Sequence, residues 1–416
     1  MARRRAQINE LFTIFVLSGV AASGDGPAKG DGDVSSVIYI NGRYLTQAIT
    51  GVQRYAHELI ATFDRLLAEE PGFAGKYRFV ILVPRRGVIH DPKLKHIEIR
   101  PVGRFSGHIW EQLDLPGETK DGVLFCPGNT APVLSLLAGR MTVVTVHDLG
   151  YIYFPDTYSR AFRVLYKTLI PLVLRRASAV IAVSNSEGKA IRRVYGVPEE
   201  RVTPIQNGGL SGDYLYDGAD LSLEEPEAFA FYVGAISKKK NVHGVIQAAA
   251  LLADEPIHFV VAGGGGKPFK DFDLPPEVER KARVEFTGRI SDDKLFDYLR
   301  RALCLVFPSF YEASPLPPIE AMAWGCPVVT SRIPALEERC GDAALFCDPN
   351  DPADIARQIQ RLLHDPELRA GLRQKGFEQA RRFSWRNCAL QTIHVVDAVL
   401  KGADRHRAIQ EAPRGI

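Results

Sequence analysis

The chain is poor in the features that would set it apart from ordinary globular enzymes. Its six cysteines, Cys126, Cys304, Cys326, Cys340, Cys347 and Cys388, include no C-x-x-C pair, and several stand in apolar runs. That pattern gives neither a disulfide framework nor a zinc ligand set, and buried free thiols in a reducing compartment are expected. Charge of one sign is also lacking. A formal net charge of +3 on 416 residues is no footprint for nucleic acid; basic residues cluster only locally, as at Lys238-Lys239-Lys240 and Arg175-Arg176. No internal repeat is evident, and nothing after residue 36 is low in complexity. The apolar run Leu11 to Ala22 is too short for a normal membrane span. It follows Arg3-Arg4-Arg5 and leads into a Gly/Asp-rich stretch ending at Ser36. Three readings of 1–36 stand: a signal peptide, a membrane-surface or partly inserted anchor, or a dispensable leader from a mis-called start.

What is present is a core and an alternation. Hydrophobic residues make up 46% and charged residues 24% of the chain, enough for a sizeable buried core, and 416 residues suffice for two or three domains. Strand-like runs at Val37–Ile40, Phe79–Val83, Val123–Phe125, Thr142–Val146 and Ala179–Val183 alternate with helical patterns at 52–67 and 159–176. The pattern restarts near residue 228. Strands are expected at 229–233, 257–262, 284–287, 303–307 and 327–330, and helices at 241–252, 292–301 and 352–363. Alternation of this kind predicts α/β architecture with parallel sheets covered on both faces. We expect two Rossmann-like domains, 37–207 and 208–384, facing each other across a cleft. A helix at 385–402 would follow, then a tail over 403–416, and Asp213–Pro226 reads as the linker between the halves.

Residues 309–330, SFYEASPLPPIEAMAWGCPVVT, are the densest in chemistry. Glu312 and Glu320 are separated by seven residues, the first on a Pro-punctuated loop and the second in the opening turns of a helix. A helix N-terminus with its approach loop favours anions, because unpaired N–H groups and the dipole point there. Carboxylates beside such a place suit a polyhydroxylated anion, such as a sugar on a nucleotide diphosphate. Lys239 and Lys240 follow one strand and precede a helix, and His147 closes another strand with Asp148 beside it to orient the ring or cap the next turn. Gly51 opens a helix where a bare backbone lets a ligand approach, or makes an ordinary tight turn. Arg54 is either solvated or turned toward an anion. The run Gly263–Gly266 follows a strand like a phosphate loop but is not G-x-G-x-x-G.

Taken together, Gly51-Val-Gln-Arg54, His147-Asp148, Gly234…Lys239-Lys240-Asn241, Thr287-Gly288-Arg289 and Glu312-x7-Glu320 resemble the retaining glycosyltransferases of family 4, over nearly all of 37–400. The resemblance implies the GT-B fold and hexosyl transfer from a nucleotide diphosphate sugar to a saccharide, free or lipid-linked. It leans toward bacterial polysaccharide mannosyltransferases, with GDP-mannose as first donor. It implies His147 and Glu312 as the catalytic pair at the donor sugar, Glu320 on the ribose hydroxyls, Lys239 and Lys240 on the diphosphate, and Arg289 and Ile290 near the base. Gly51, Ser314 and Leu316 complete the substrate contacts. Two departures stand out. The family's Gly-Phe-Gly-Leu loop is Ala313-Ser314-Pro315-Leu316 here, so Pro315 withholds one N–H and the Ser314 hydroxyl is the candidate replacement. Lys239 replaces an arginine and gives up its bidentate fork. No cofactor is implied, and no D-x-D-type pair stands in a fitting loop, so metal-independent transfer is expected. The substrates place the enzyme in the cytoplasm or at the inner face of the membrane.

Two other readings stay open: an epimerase of nucleotide sugars on the same fold, and a binding protein without activity. The segment His108–Gln112 reads as a loop that exposes Trp110 on the acceptor side, or else packs it in the core. The helix from Arg160 to Arg176 offers Phe162, Leu165, Tyr166 and Leu169 with Arg163 and Lys167, either to a membrane surface or as a solvated helix with a buried stripe. Ala389, Ile393, Val396 and Leu400 would bring the C-terminal helix back onto the first domain.

Overall fold

The computed structural model describes residues 36–210, 225–264 and 276–411. The leader before Ser36, nearly all of the linker, Gly265, Gly266 and the tail from 412 lie outside these residues. The first sheet holds β1 (Ser36–Asn41), β2 (Tyr77–Pro84), β3 (Glu98–Val102), β4 (Val123–Cys126), β5 (Thr142–Val146), β6 (Ala179–Ala182) and β7 (Val202–Pro204) in the order β3-β2-β1-β4-β5-β6-β7. The second holds β8 (Glu227–Val233), β9 (His258–Ala262), β10 (Val284–Gly288), β11 (Ala302–Phe307), β12 (Val328–Ser331) and β13 (Ala344–Cys347) in the order β10-β9-β8-β11-β12-β13. Neighbouring strands pair in parallel throughout.

Central strands such as VLFC, TVVTV and ALCLVF are buried at every residue, which is why they read as continuous apolar runs. In each sheet the strand order reverses beside its first strand, at β1/β4 and at β8/β11. A reversal leaves a crevice at the carboxyl ends of the strands, where open α/β sheets bind ligands.

Four helices serve the first lobe's side of that crevice. In α1 (Gly51–Glu69), Tyr55, Leu59, Ile60, Phe63 and Leu66 form one buried stripe. In α2 (Gly107–Leu113), Trp110 is wholly buried and its indole N–H donates to the Val102 carbonyl at 3.0 Å. Of the two readings of 108–112, the one that packs Trp110 in the core holds, and the segment is a helix, not a loop. α3 (Arg160–Arg176) begins at Ser159, whose hydroxyl accepts the Phe162 N–H at 3.2 Å. Tyr166 and Leu169 of α3 are buried, while Val164 and Leu165 are exposed. α4 (Asn185–Tyr195) was not foreseen, although Ser184 and Glu187 stand in S-x-x-E capping spacing.

In the second lobe α5 (Val242–Leu251) starts at Asn241, α6 (Pro317–Ala323) carries Glu320, and α7 (Pro334–Cys340) follows β12. The last helix, α8 (Trp385–Glu411), packs on the first lobe and runs past residue 402. Trp385, Ala389, Ile393 and Val396 share one core with Leu59 and Phe63 of α1 and Phe79 of β2. The crossing is tight: the Trp385 N–H donates to the Gly209 carbonyl at 3.1 Å, and a Cβ on Gly208 would lie 2.4 Å from the indole. All six cysteines are buried and free. No described helix is long and apolar enough to cross a membrane.

Candidate active site

The carboxyl ends of both sheets open on one cavity of about 1060 Å³. Gly51, His147, Lys239, Lys240, Glu312, Ser314, Leu316 and Glu320 all line it. Arg289 and Ile290 do not. They follow β10, the edge strand, two strands out from the β8/β11 reversal. Arg289 is exposed beside Gly264, and Ile290 packs on the second lobe's core.

The lysines sit on a single 3-10 turn, Lys238–Lys240, after β8. Asn241 ends the turn in the left-handed region (φ 56°) and caps α5, accepting the Gly244 N–H at 3.2 Å. Its amide donates to the carbonyls of Pro308 (3.1 Å) and Pro349 (2.8 Å), and the Lys239 carbonyl accepts the Phe310 N–H at 2.9 Å. These bonds lock the lysine turn to the Glu312 loop. Lys240 Nζ reaches Glu312 Oε1 at 2.5 Å, with both side chains largely buried, and Lys239 Nζ lies 5.6 Å from the centre of the Tyr311 ring.

Glu320 is buried and pairs across the cleft with Arg54 of α1 (2.6 Å), close enough for an ion pair but not aligned for a hydrogen bond. Burial raises the Glu320 carboxyl above the usual range, against the pull of Arg54. Arg54 thus faces a carboxylate of the protein itself. The expectation of N–H donors at the start of the Glu320 helix is overturned. Pro317 and Pro318 open α6 without N–H groups, and the Leu316 carbonyl takes the N–H of both Ile319 and Glu320 at 3.0 Å. The positive charge in this half of the cavity comes from side chains. The Ser314 hydroxyl is buried on the cavity wall with no partner among the described residues, a donor left for something else to satisfy.

His147 is buried, and its backbone N–H donates to Asn129 Oδ1 at 2.6 Å. Its Nε2 lies 2.7 Å from the Pro127 carbonyl, which can only accept, so Nε2 carries the proton and Nδ1 the lone pair. Burial lowers the imidazole's pKa, so the ring is neutral at pH 7. Asp148 caps the following turn, accepting the Gly150 N–H at 2.9 Å. At Gly51, a Cβ would meet nothing within 4 Å, so the start of α1 stands open to the cavity.

Comparison with known proteins decides what this geometry belongs to. The family described as "Glycosyltransferase Family 4" matches residues 49–208, and "Glycosyl transferases group 1" matches residues 218–379. O-antigen chain mannosyltransferase B of Escherichia coli is 32% identical over 264 residues, 61% of this chain and 69% of the relative. The chain belongs to glycosyltransferase family 4. O-antigen chain mannosyltransferase RfbU of Salmonella typhimurium is 27% identical over 66% of the chain and 74% of its own length. Among solved structures, WaaG, a glycosyltransferase involved in lipopolysaccharide biosynthesis, superposes with TM-score 0.64 at 16% identity, covering 86% of this chain and 99% of WaaG. Sucrose-phosphate synthase of Thermosynechococcus elongatus gives 0.63 at 21% identity, covering 89% and 100%. These likenesses establish the GT-B fold of the glycosyltransferase.

Two buried charged residues of the glycosyltransferase, one lining the cavity and one behind its wall, were not legible beforehand. In the first lobe Glu111 of α2 is fully buried and accepts from Asn41 Nδ2 (2.6 Å) and Thr130 Oγ1 (2.9 Å), with Arg43 Nε at 3.4 Å and His108 Nδ1 at 3.2 Å. In the second lobe Arg339 of α7 is fully buried. It donates to the carbonyls of Pro315 (3.0 Å), Asn207 (2.8 Å) and Gly208 (2.9 Å) and lies 4.3 Å from the centre of the Phe383 ring. It ties the altered Ala313–Leu316 loop to the end of the first lobe.

Proposed function

We propose that this glycosyltransferase moves a hexose, mannose as first assignment and GDP-mannose as first donor, with retention of configuration onto a saccharide acceptor in cell-surface polysaccharide assembly. The O-antigen chain mannosyltransferase relatives support the sugar and the setting. The observation that carries the reading is the convergence of Lys239, Lys240, Glu312, Glu320 and His147 on one cavity. Lys239 and Lys240 take the charge of the leaving nucleoside diphosphate, and Lys240 exchanges Glu312 for phosphate when donor enters. Glu312, released, sets negative charge beside the oxocarbenium-like sugar. Neutral His147 accepts a sugar hydroxyl at Nδ1, and Glu320 accepts the ribose hydroxyls after Arg54 yields. The C1–O bond to the diphosphate breaks as the acceptor oxygen bonds C1 on the same face, and the acceptor's proton passes to the leaving phosphate oxygen. This scheme assigns charge compensation to lysines and gives a metal no step.

A panel of nucleotide sugars, read by nucleoside diphosphate release with and without saccharide acceptors, tests the donor, and the product's anomeric configuration tests retention. Glu320→Ala is expected to weaken donor binding about tenfold, the order of one lost charged hydrogen-bond acceptor; unchanged affinity removes Glu320 from the ribose site. The proposed place of action is the cytoplasm or the inner face of the membrane. Contact with a membrane carrying a lipid-linked acceptor is inferred from Val164 and Leu165, exposed on α3 beside Arg163 and Lys167. The full chain should then co-sediment with anionic vesicles more than with neutral ones, and Val164→Asp with Leu165→Asp should abolish the difference. Equal recovery with both vesicle types rejects the contact.

A further inference from the structure

Tyr311 precedes Glu312 but touches the opposite lobe. Its hydroxyl accepts the Leu149 N–H at 3.0 Å and donates to Glu187 Oε2 at 3.0 Å. Leu149 lies two residues after His147, and Glu187 is buried in the first turn of α4. The Tyr311 ring lies 5.4 Å from that of Tyr153 and 5.9 Å from that of Phe154, both in the first lobe. A second contact falls on the same helix. Glu338 of α7 accepts the N–H groups of Asn185 (2.8 Å) and Ser186 (2.9 Å) and the Asn185 amide (2.6 Å). The start of α4 therefore receives two docks from the second lobe, and one of them is chained directly to Glu312.

We propose that Tyr311 is a positioning residue whose hydroxyl clasps the Glu312 loop to the His147–Leu149 segment, holding the two halves of the transfer site in register, with Glu338 as the companion dock. The inference rests on the reading of Glu312 and His147 as donor-site residues. The chain is short: Glu312 is one residue from the hydroxyl's owner, and His147 is two residues from the N–H that the hydroxyl accepts. A shift of an ångström between such groups can cost about a hundredfold in rate while leaving binding intact. Donor affinity resides elsewhere, in Glu320 and the lysine turn, which Asn241 fixes within the second lobe. The clasp thus acts on the chemical step.

Tyr311→Phe keeps the ring between Tyr153, Phe154 and Lys239 and removes only the hydroxyl. The expected result is a kcat lower by about ten- to a hundredfold, nucleoside diphosphate affinity within twofold of the parent, and faster hydrogen exchange at Leu149. Glu338→Gln should lower kcat in the same direction with affinity again unchanged. A kcat within twofold of the parent, or a loss of affinity in step with kcat, overturns the proposal. Exchange at Leu149 judges the clasp even if no nucleotide sugar is turned over. An enzyme without turnover but with faster exchange in Tyr311→Phe refutes the donor reading and keeps the clasp, whereas unchanged exchange refutes the clasp itself.

Discussion

Lys240→Ala is expected to lower kcat/KM for the donor by about 10²–10³-fold, the loss typical when one preorganised group facing transition-state charge is removed. The size follows from how the ammonium is held. Its side chain is 20% exposed and that of Glu312 is 8% exposed, so the 2.5 Å pair is no surface ion pair. Asn241 pins the turn below it to two carbonyls, and Lys239 bonds the Glu312 loop through its own carbonyl. Charge fixed in a place poor in water needs little reorganisation when the diphosphate leaves, and its field is weakly screened. Removing Lys240 also leaves the Glu312 carboxylate without its cation. Adding Glu312→Gln to Lys240→Ala should therefore cost less than the two single losses combined, because the residues act as a unit. Steady-state kinetics with the donor that the panel identifies, together with nucleoside diphosphate affinity by calorimetry, checks this. A loss below threefold would show that Lys240 does not serve the diphosphate, and a strictly additive double variant would show that Lys240 and Glu312 do not act as a unit.

Much of this arrangement could be read before any coordinates. The buried strands announce themselves because both faces are covered, and a run such as TVVTV needs no polar alternation. The strands that escaped notice were short or polar. β3 reads EIRPV at a sheet edge, β7 is three residues long at the opposite edge, and β13 closes the second sheet. An edge strand exposes one side to water and carries charge and proline for that reason. Glu320, the lysine turn and His147 could be singled out because each lies at a strand end or a helix start, and Glu312 because it stands on the loop between the two; strand ends are where such folds place ligands. Glu111 and Tyr311 escaped because their partners are remote in sequence. Asn41 and Thr130 reach Glu111 from 70 and 19 residues away, and Glu187 lies 124 residues from Tyr311. The two readings left open at 108–112 have the same origin. His108, Glu111 and Gln112 look solvated in one dimension, yet Glu111 is buried because the fold supplies its donors. The prolines of α6 were visible, and their consequence for the helix start follows from their missing N–H groups alone.

Two buried carboxylates should make the stability of this enzyme fall on either side of about pH 4.5, for opposite reasons. Burial alone would raise the Glu111 carboxyl; Arg43, with hydrogen bonds from His108 and Thr130, outweighs it and holds the group at about 2, below the ordinary 4.5. A depressed pKa means stability that is full above 4.5 and is lost as pH falls through 2, worth about 3 kcal/mol across the interval. Burial raises Glu187, and the charge of Asp148 adds to it, so the group titrates at about 8. Here the sign reverses. The folded state keeps a proton that the unfolded chain releases near 4.5, so this contribution is full below 4.5 and declines by about 1.4 kcal/mol per pH unit until it is gone near 8. Glu187→Gln preserves a neutral side chain and an acceptor for the Tyr311 hydroxyl, so it should erase the alkaline decline. Urea unfolding at pH 4.5 and pH 8.5 should find the variant close to the parent at the lower pH and more stable at the higher. Glu111→Ala leaves Arg43 facing a gap and should cost about 3–5 kcal/mol at neutral pH, the usual price of a buried charge losing its partner. Its remaining stability should depend less on acid than the parent's, because the group that takes up protons between 4.5 and 2 is gone. If Glu187→Gln keeps the parent's alkaline decline, the proton is held elsewhere, and the Tyr311 hydroxyl meets an ionised carboxylate at neutral pH.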